Sequence, residues 1–180
     1  MLMNYAECQT RYNTPRRIHT ALDNRILFRL ERGIYSDCPH VPTLAIIRKK
    51  YPDAVLTLES AFYYHGLTDD IPERYALATD SNAAKIRDNR VKQYFVPAQV
   101  LQVGVTTMEI ERTTAFIYNK ERMLIELARN KTKLPFDFYK EVLRRYRDHV
   151  NELDIASLQE YIPLFPKANK IWDILEQEAF

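Results

Sequence analysis

At Asn119 the spacing of apolar residues changes, and that change limits the chain to folds combining sheet with helix. Beyond it, Met123, Leu124, Leu127 and Ala128, then Phe136, Tyr139, Val142, Leu143 and Tyr146, recur at the spacing of a helix face. Leu158, Tyr161 and Ile162, and then Ile171, Ile174 and Leu175, continue the pattern. Before Asn119, the runs Tyr75 to Thr79, Val91 to Val96, Val105 to Ile110 and Thr113 to Tyr118 have the length and the β-branched, aromatic content of strands. Glu111-Arg112 is placed to close the last two into a hairpin. The expected class is α+β, with a small sheet and a helical C-terminal third.

The N-terminal 40 residues follow a different plan. Tyr5, Cys8 and Tyr12 lie on one face of a short helix spanning Asn4 to Tyr12, which Asn13 and Thr14 break. Thr14-Pro15 then starts a second helix, because a threonine hydroxyl can satisfy an orphan N–H and proline is pre-set for the first helical position. On this helix, running to about Asn24, Ile18, Ala21 and Leu22 share a face while Arg16, Arg17, His19 and Thr20 point away from it. Ile26 to Ser36 reads as two short strands around a turn at Glu31 to Gly33, with Arg32 at the tip. Two helices, a brief turn and a hairpin describe a minimal winged helix-turn-helix, in which a helix enters the major groove and the hairpin touches the backbone or minor groove. Arg16, Arg17, His19, Thr20 and Arg32 are the candidate DNA contacts. A short helical hairpin with solvated arginines satisfies the same pattern. The usual first helix has no room before Asn4, so the module is either trimmed or completed by a later segment.

A linker around Ser36 to Val41 separates this module, residues 1–40, from a larger domain, residues 41–180. The latter opens with a helix from Thr43 to Lys50, the apolar run Ala54-Val55-Leu56 and a helix capped by Thr57 and ended by Gly66.

Several chemistries lack the residues they need. Gly33, Gly66 and Gly104 are the only glycines, each more than 30 residues from the next, so no phosphate-cradling loop exists. Cys8 and Cys38 cannot form a disulfide framework, and Cys38-Pro39-His40 lacks further ligands for zinc. Ser60 and His65 fall roughly 140° apart on a helix, poor geometry for a nucleophile and its base. Asp69-Asp70 reads as a loop after Gly66 and not as a metal site, and neither an acidic residue two before a lysine nor a Gly-Ser dipeptide is present. A non-enzymatic protein without metal or cofactor is expected. Met1 to Thr10 lacks the basic and apolar regions of a leader, and no apolar run reaches the roughly 20 residues of a membrane span, so the expected location is cytoplasmic, with no membrane partner.

The net charge is only +2, so attraction to nucleic acid requires local clustering of cations. A candidate second basic surface comprises Lys120, Arg122, Arg129, Lys131, Lys133, Arg144, Arg145 and Arg147. It reads first as a solvated helix surface paired with Glu121, Glu126 and Glu141, and second as a site for DNA backbone, RNA or an acidic partner.

Three segments carry a family resemblance: Leu30 to Ser36; Tyr51 to Thr68, with Ser60-Ala61 before aromatics and then His65-Gly66-Leu67-Thr68; and Tyr118 to Leu127. Over nearly its whole length the chain resembles the AbiEi family of antitoxins from bacterial abortive-infection toxin–antitoxin systems, which act in phage defence. The resemblance implies a two-domain antitoxin that represses its own operon by binding operator DNA, often inverted repeats, through a winged domain. It also implies that the chain counters a nucleotidyltransferase toxin encoded beside it, with the C-terminal domain required and without a stable direct complex. The competing expectation is a protein-interaction module that does not bind DNA and neutralises an adjacent toxin directly. A nuclease with dispersed ligands is the third.

Overall fold

A computed structural model describes all residues, 1–180. Asn4 opens the first helix, α1 (Tyr5–Tyr12), with a capping box: its side chain accepts from the Glu7 N–H at 2.9 Å, and Glu7 accepts from the Asn4 N–H at 2.7 Å. Thr14 caps α2 (Pro15–Asp23) by accepting from the Arg17 N–H at 3.3 Å. Between the two helices lies only Asn13-Thr14, and Asn13 makes the bend in a positive-φ conformation, φ 64°.

Strand β1 (Leu2–Asn4), too short to announce itself by alternation, pairs antiparallel with β3 (Ile34–Ser36). β3 pairs in turn with β2 (Phe28–Glu31), giving the sheet order β1-β3-β2. Gly33 at φ +81° closes the β2–β3 turn, where a side chain would be strained. Met3, Cys8, Ile18, Ala21, Leu27 and Tyr35 form the core under α1 and α2. A third helix, α3 (Thr43–Lys50), packs on β1 and buries Leu44, Ile46 and Ile47. Lys49 reaches Glu7 at 2.6 Å and Lys50 reaches Glu31 at 3.1 Å, so ion pairs tie α3 to α1 and to the end of β2. Helix α3 thus joins α1 and the β1-β3-β2 sheet.

The chain divides into two compact units, Met1–Pro52 with Glu109–Thr113, and Asp53–Met108 with Thr114–Phe180. The second holds a five-stranded mixed sheet of order β6-β5-β4-β8-β7, built from β4 (Val55–Leu56), β5 (Tyr75–Asp80), β6 (Val91–Val96), β7 (Val105–Ile110) and β8 (Thr113–Tyr118). β4 runs antiparallel to β5 and parallel to β8, and β5 and β6 are parallel in register from Tyr75↔Val91 to Asp80↔Val96. Glu111 (φ 50°) and Arg112 (φ 61°) turn β7 into β8, the left-handed pair expected of a two-residue hairpin loop. The class is α+β, as the spacing predicts.

Helix α4 (Leu58–Tyr64) begins at Thr57, whose hydroxyl makes no cap bond: the residue is buried and its Oγ1 lies 4.0 Å from the Met123 sulfur. It ends in a Schellman arrangement, with the Gly66 N–H on Tyr63 O and the Leu67 N–H on Phe62 O, both at 2.9 Å. A short helix, α5 (Ala98–Leu101), follows β6. The C-terminal third contains α6 (Lys120–Arg129), α7 (Phe136–Asp148), α8 (Ile155–Tyr161) and α9 (Ala168–Glu178). α6 is central, packed against α4, α7, α8 and α9. Phe136, expected on the buried stripe of α7, is 68% exposed, because it sits in the first turn with the Lys140 ammonium 4.3 Å above its ring. No helix is long and apolar enough to cross a membrane.

Candidate nucleic-acid interface

Ile18 and Ala21 commit one side of α2 to the core, so the helix turns Arg16, Arg17, His19 and Thr20 outward, and all four are exposed. Thr20 is partly engaged, its hydroxyl donating to Arg16 O at 3.1 Å. Arg32, at the tip of the β2–β3 hairpin, is exposed as well. Two arginines that sequence spacing did not single out, Arg25 after α2 and Arg29 in β2, are also exposed. Their signal was present as density: five arginines between positions 16 and 32 against Asp23 and Glu31 alone.

The ion pairs of this unit use other residues. Asp37 takes the N-terminal ammonium and Arg11, Glu7 takes Lys49, and Glu31 takes Lys50, leaving Arg16, Arg17, Arg25, Arg29 and Arg32 without a carboxylate. Arg16 and Arg17 moreover occupy the first turn of α2, which has no acidic residue. That end of a helix carries the positive pole of its macrodipole, and a cation there is disfavoured by about 0.3–1 kcal/mol. Helix stability therefore does not explain the two arginines. A phosphate at this position would meet two guanidinium groups and the helix pole together.

The cations of the C-terminal third are deployed otherwise. Arg122, expected on a second basic surface, is fully buried. Its guanidinium donates to Val100 O at 2.7 Å, Val103 O at 3.2 Å and Glu126 Oε1 at 2.9 and 3.1 Å. It also lies between the rings of Tyr118 and Phe165, 4.5 and 4.3 Å from their centroids. The physical reason is the central position of α6, which leaves no solvent-facing side along most of its length. A Cβ on Gly104 would come within 2.5 Å of Arg122 Cβ, so the backbone passes where only glycine fits.

Arg129 joins the same Glu126 at 2.7 Å, Lys120 pairs with Glu152 at 3.0 Å, Lys131 with Glu178, and Arg145 with Asp69 at 2.8 Å. Arg147 donates to Glu178 O at 2.5 Å, and Arg144 lies 4.0 Å from Asp148. Lys133 alone of the eight is exposed without such a partner. Of the three expected carboxylate partners, only Glu126 serves cations: Glu121 accepts from the Asp154 N–H and Glu141 from the Asp69 N–H.

The residues considered for catalysis have structural roles. Ser60 is buried, accepts from the Ala76 N–H at 2.8 Å and donates to Arg74 O at 3.5 Å, latching α4 to β5. His65 Nε2 lies 2.7 Å from Tyr118 O, which requires the proton on that nitrogen. Burial holds its pKa below 6.5, against the opposing pull of that carbonyl. The Asp70 N–H donates to Thr68 Oγ1 at 3.1 Å, while Asp69 binds Arg145, so the loop after Gly66 is pinned to α7. No group of three or more His, Cys, Asp or Glu side chains is arranged to hold a metal ion. No protein-family model matches the chain, and no curated protein matches it in sequence.

Proposed function

We propose that the chain is an antitoxin and DNA-binding autorepressor of a bacterial toxin–antitoxin operon, reading operator DNA through its N-terminal unit as a winged helix-turn-helix. The observation that carries this reading is the pair Arg16 and Arg17, exposed, without carboxylates and held at the positive pole of α2. An anionic polymer satisfies that arrangement. α1, the two-residue turn, α2 and the β2–β3 hairpin supply the order of elements such a module needs, with α3 packed on β1. Operator half-sites in inverted repeat would call for two copies of the chain.

The antitoxin half rests on the resemblance of the segments at Leu30 to Ser36, Tyr51 to Thr68 and Tyr118 to Leu127 to the AbiEi family. It assigns the second unit the control of a nucleotidyltransferase toxin encoded by the neighbouring gene. The cytoplasm is the compartment in which such a regulator works.

An electrophoretic shift with the DNA upstream of its own gene, at low salt, tests the reading. A specific shift that is lost on Arg16→Ala with Arg17→Ala supports it. Absence of a shift, with a stable complex formed instead with the neighbouring gene product, would replace it by a protein-interaction module.

A further inference from the structure

A cavity of about 360 Å³ opens between the C-terminal end of α6 and the start of α9. Arg129, Lys131, Lys167 and Lys170 all line it, with the Thr132 hydroxyl, and no carboxylate does. Its volume falls in the range of small-molecule sites, roughly 300–1,000 Å³.

The convergence of four cations on one concavity is unfavourable unless opposite charge offsets it. Two are offset, Arg129 by Glu126 and Lys131 by Glu178. Lys167 and Lys170 are exposed and have no ion-pair partner. The chain therefore carries an uncompensated double positive charge on the face of α9 that also brings Ile171 and Ile174 to the cavity. Position 167 adds to this field: Lys167 holds a left-handed backbone (φ 62°, ψ 39°) at the N-cap of the 11-residue α9 and makes no side-chain cap bond.

We propose that this cavity binds a small polyphosphate-bearing molecule, its phosphates on Lys167, Lys170, Lys131 and Arg129 and its less polar part against Ile171 and Ile174. A phosphate chain supplies several acceptor oxygens and more than one negative charge, matching a cluster that a single carboxylate would leave half neutralised. The apolar wall favours a ligand carrying an organic body, such as a nucleoside, over an inorganic ion alone. None of its residues belongs to the first unit, which carries the proposed operator contacts.

Calorimetric titration of the full-length protein with ATP, without DNA or magnesium and at physiological salt, tests the assignment. The expected result is one saturable site, weakened at least tenfold by Lys167→Gln with Lys170→Gln. The same loss of charge on the exposed loop residues, Lys85→Gln with Arg87→Gln, is expected to leave it unchanged. Inorganic tripolyphosphate should bind at the same site but more weakly than ATP. Thermal melting of each variant establishes that it is folded. The proposal is overturned if ATP shows no saturable binding, if both double variants weaken it equally, or if Lys167→Gln with Lys170→Gln impairs binding of a DNA duplex and leaves ATP binding unchanged.

Discussion

The arginines of α2 and the cations of α6 and α7 are alike in sequence and opposite in circumstance. In α2, Arg16 and Arg17 stand in the first turn, at the pole that repels them, with no acidic residue nearby in the helix. In α6 and α7, Arg129, Arg145 and Arg147 stand in the last turn, at the pole that attracts them, while Lys120 and Arg122, in the first turn of α6, are paired with Glu152 and Glu126. The second arrangement stabilises its own helices. The first leaves its charge to be satisfied from outside. Cations at the repelling pole are thus offset by carboxylates in α6 and left without one in α2.

The comparison can be broken most severely at Arg122. If the cations of α6 serve the fold, Arg122→Met should lower unfolding stability by about 3–5 kcal/mol, because it leaves two interior carbonyls unpaired and Glu126 with Arg129 as its one remaining cation. Chemical denaturation measures this, and a loss below about 1 kcal/mol would mean that the buried cluster contributes little. Arg16→Ala with Arg17→Ala should do the reverse. Operator affinity should fall at least about thirtyfold, two contacts being worth roughly 1–3 kcal/mol each, while stability stays constant or rises by a few tenths of a kcal/mol as dipole repulsion is relieved. A loss of stability together with binding would move these arginines into the structural class. Between these two in kind is Thr14→Ala, which removes the α2 cap and should lower the stability of the first unit by about 1 kcal/mol.

The smallest effect concerns pH. Burial keeps the folded-state pKa of His65 below 6.5, so between the two values the unfolded chain binds more protons than the folded one. The contribution of His65 is then fully present above the unfolded value and is lost as pH falls through it toward the folded one. The melting temperature should decline as pH falls below 6.5, and less steeply in His65→Gln. An identical decline in the variant would assign the effect to other groups.

Much of this fold was legible locally. Thr14-Pro15, the spacing after Asn119 and the β-branched runs of β6, β7 and β8 each state their own structure, since a cap, a helix face and a strand depend on residues within a few positions. β1 was not legible, because its three residues become a strand only by pairing with Ile34–Ser36, more than 30 positions away. Nor was the burial of Arg122. The stripe Met123, Leu124, Leu127, Ala128 accounts for one face of α6, and only the packing of four other helices around it buries Arg122, Ile125 and Glu126 as well. Ile125, apolar on the side taken as solvated, was the available clue. Of the candidate interface, Arg16, Arg17, His19, Thr20 and Arg32 could be named from spacing alone. That Arg25 and Arg29 lack partners depends on where Glu31 and Asp37 turn, and sequence order does not contain that.

If the charge left open on α2 and the β2–β3 hairpin serves DNA phosphate and base edges, operator binding must carry its signature in salt dependence. The logarithm of the association constant should fall linearly with the logarithm of salt concentration, by about 0.9 for each phosphate contacted. Arg16→Ala with Arg17→Ala should weaken binding and flatten the slope by about two, and Arg32→Ala should flatten it by about one. Lys120→Gln with Lys131→Gln, which removes the same charge from paired positions of the second unit, should change neither. Equal losses from both double variants would contradict the account, because net charge and not the placement of these arginines would then govern binding.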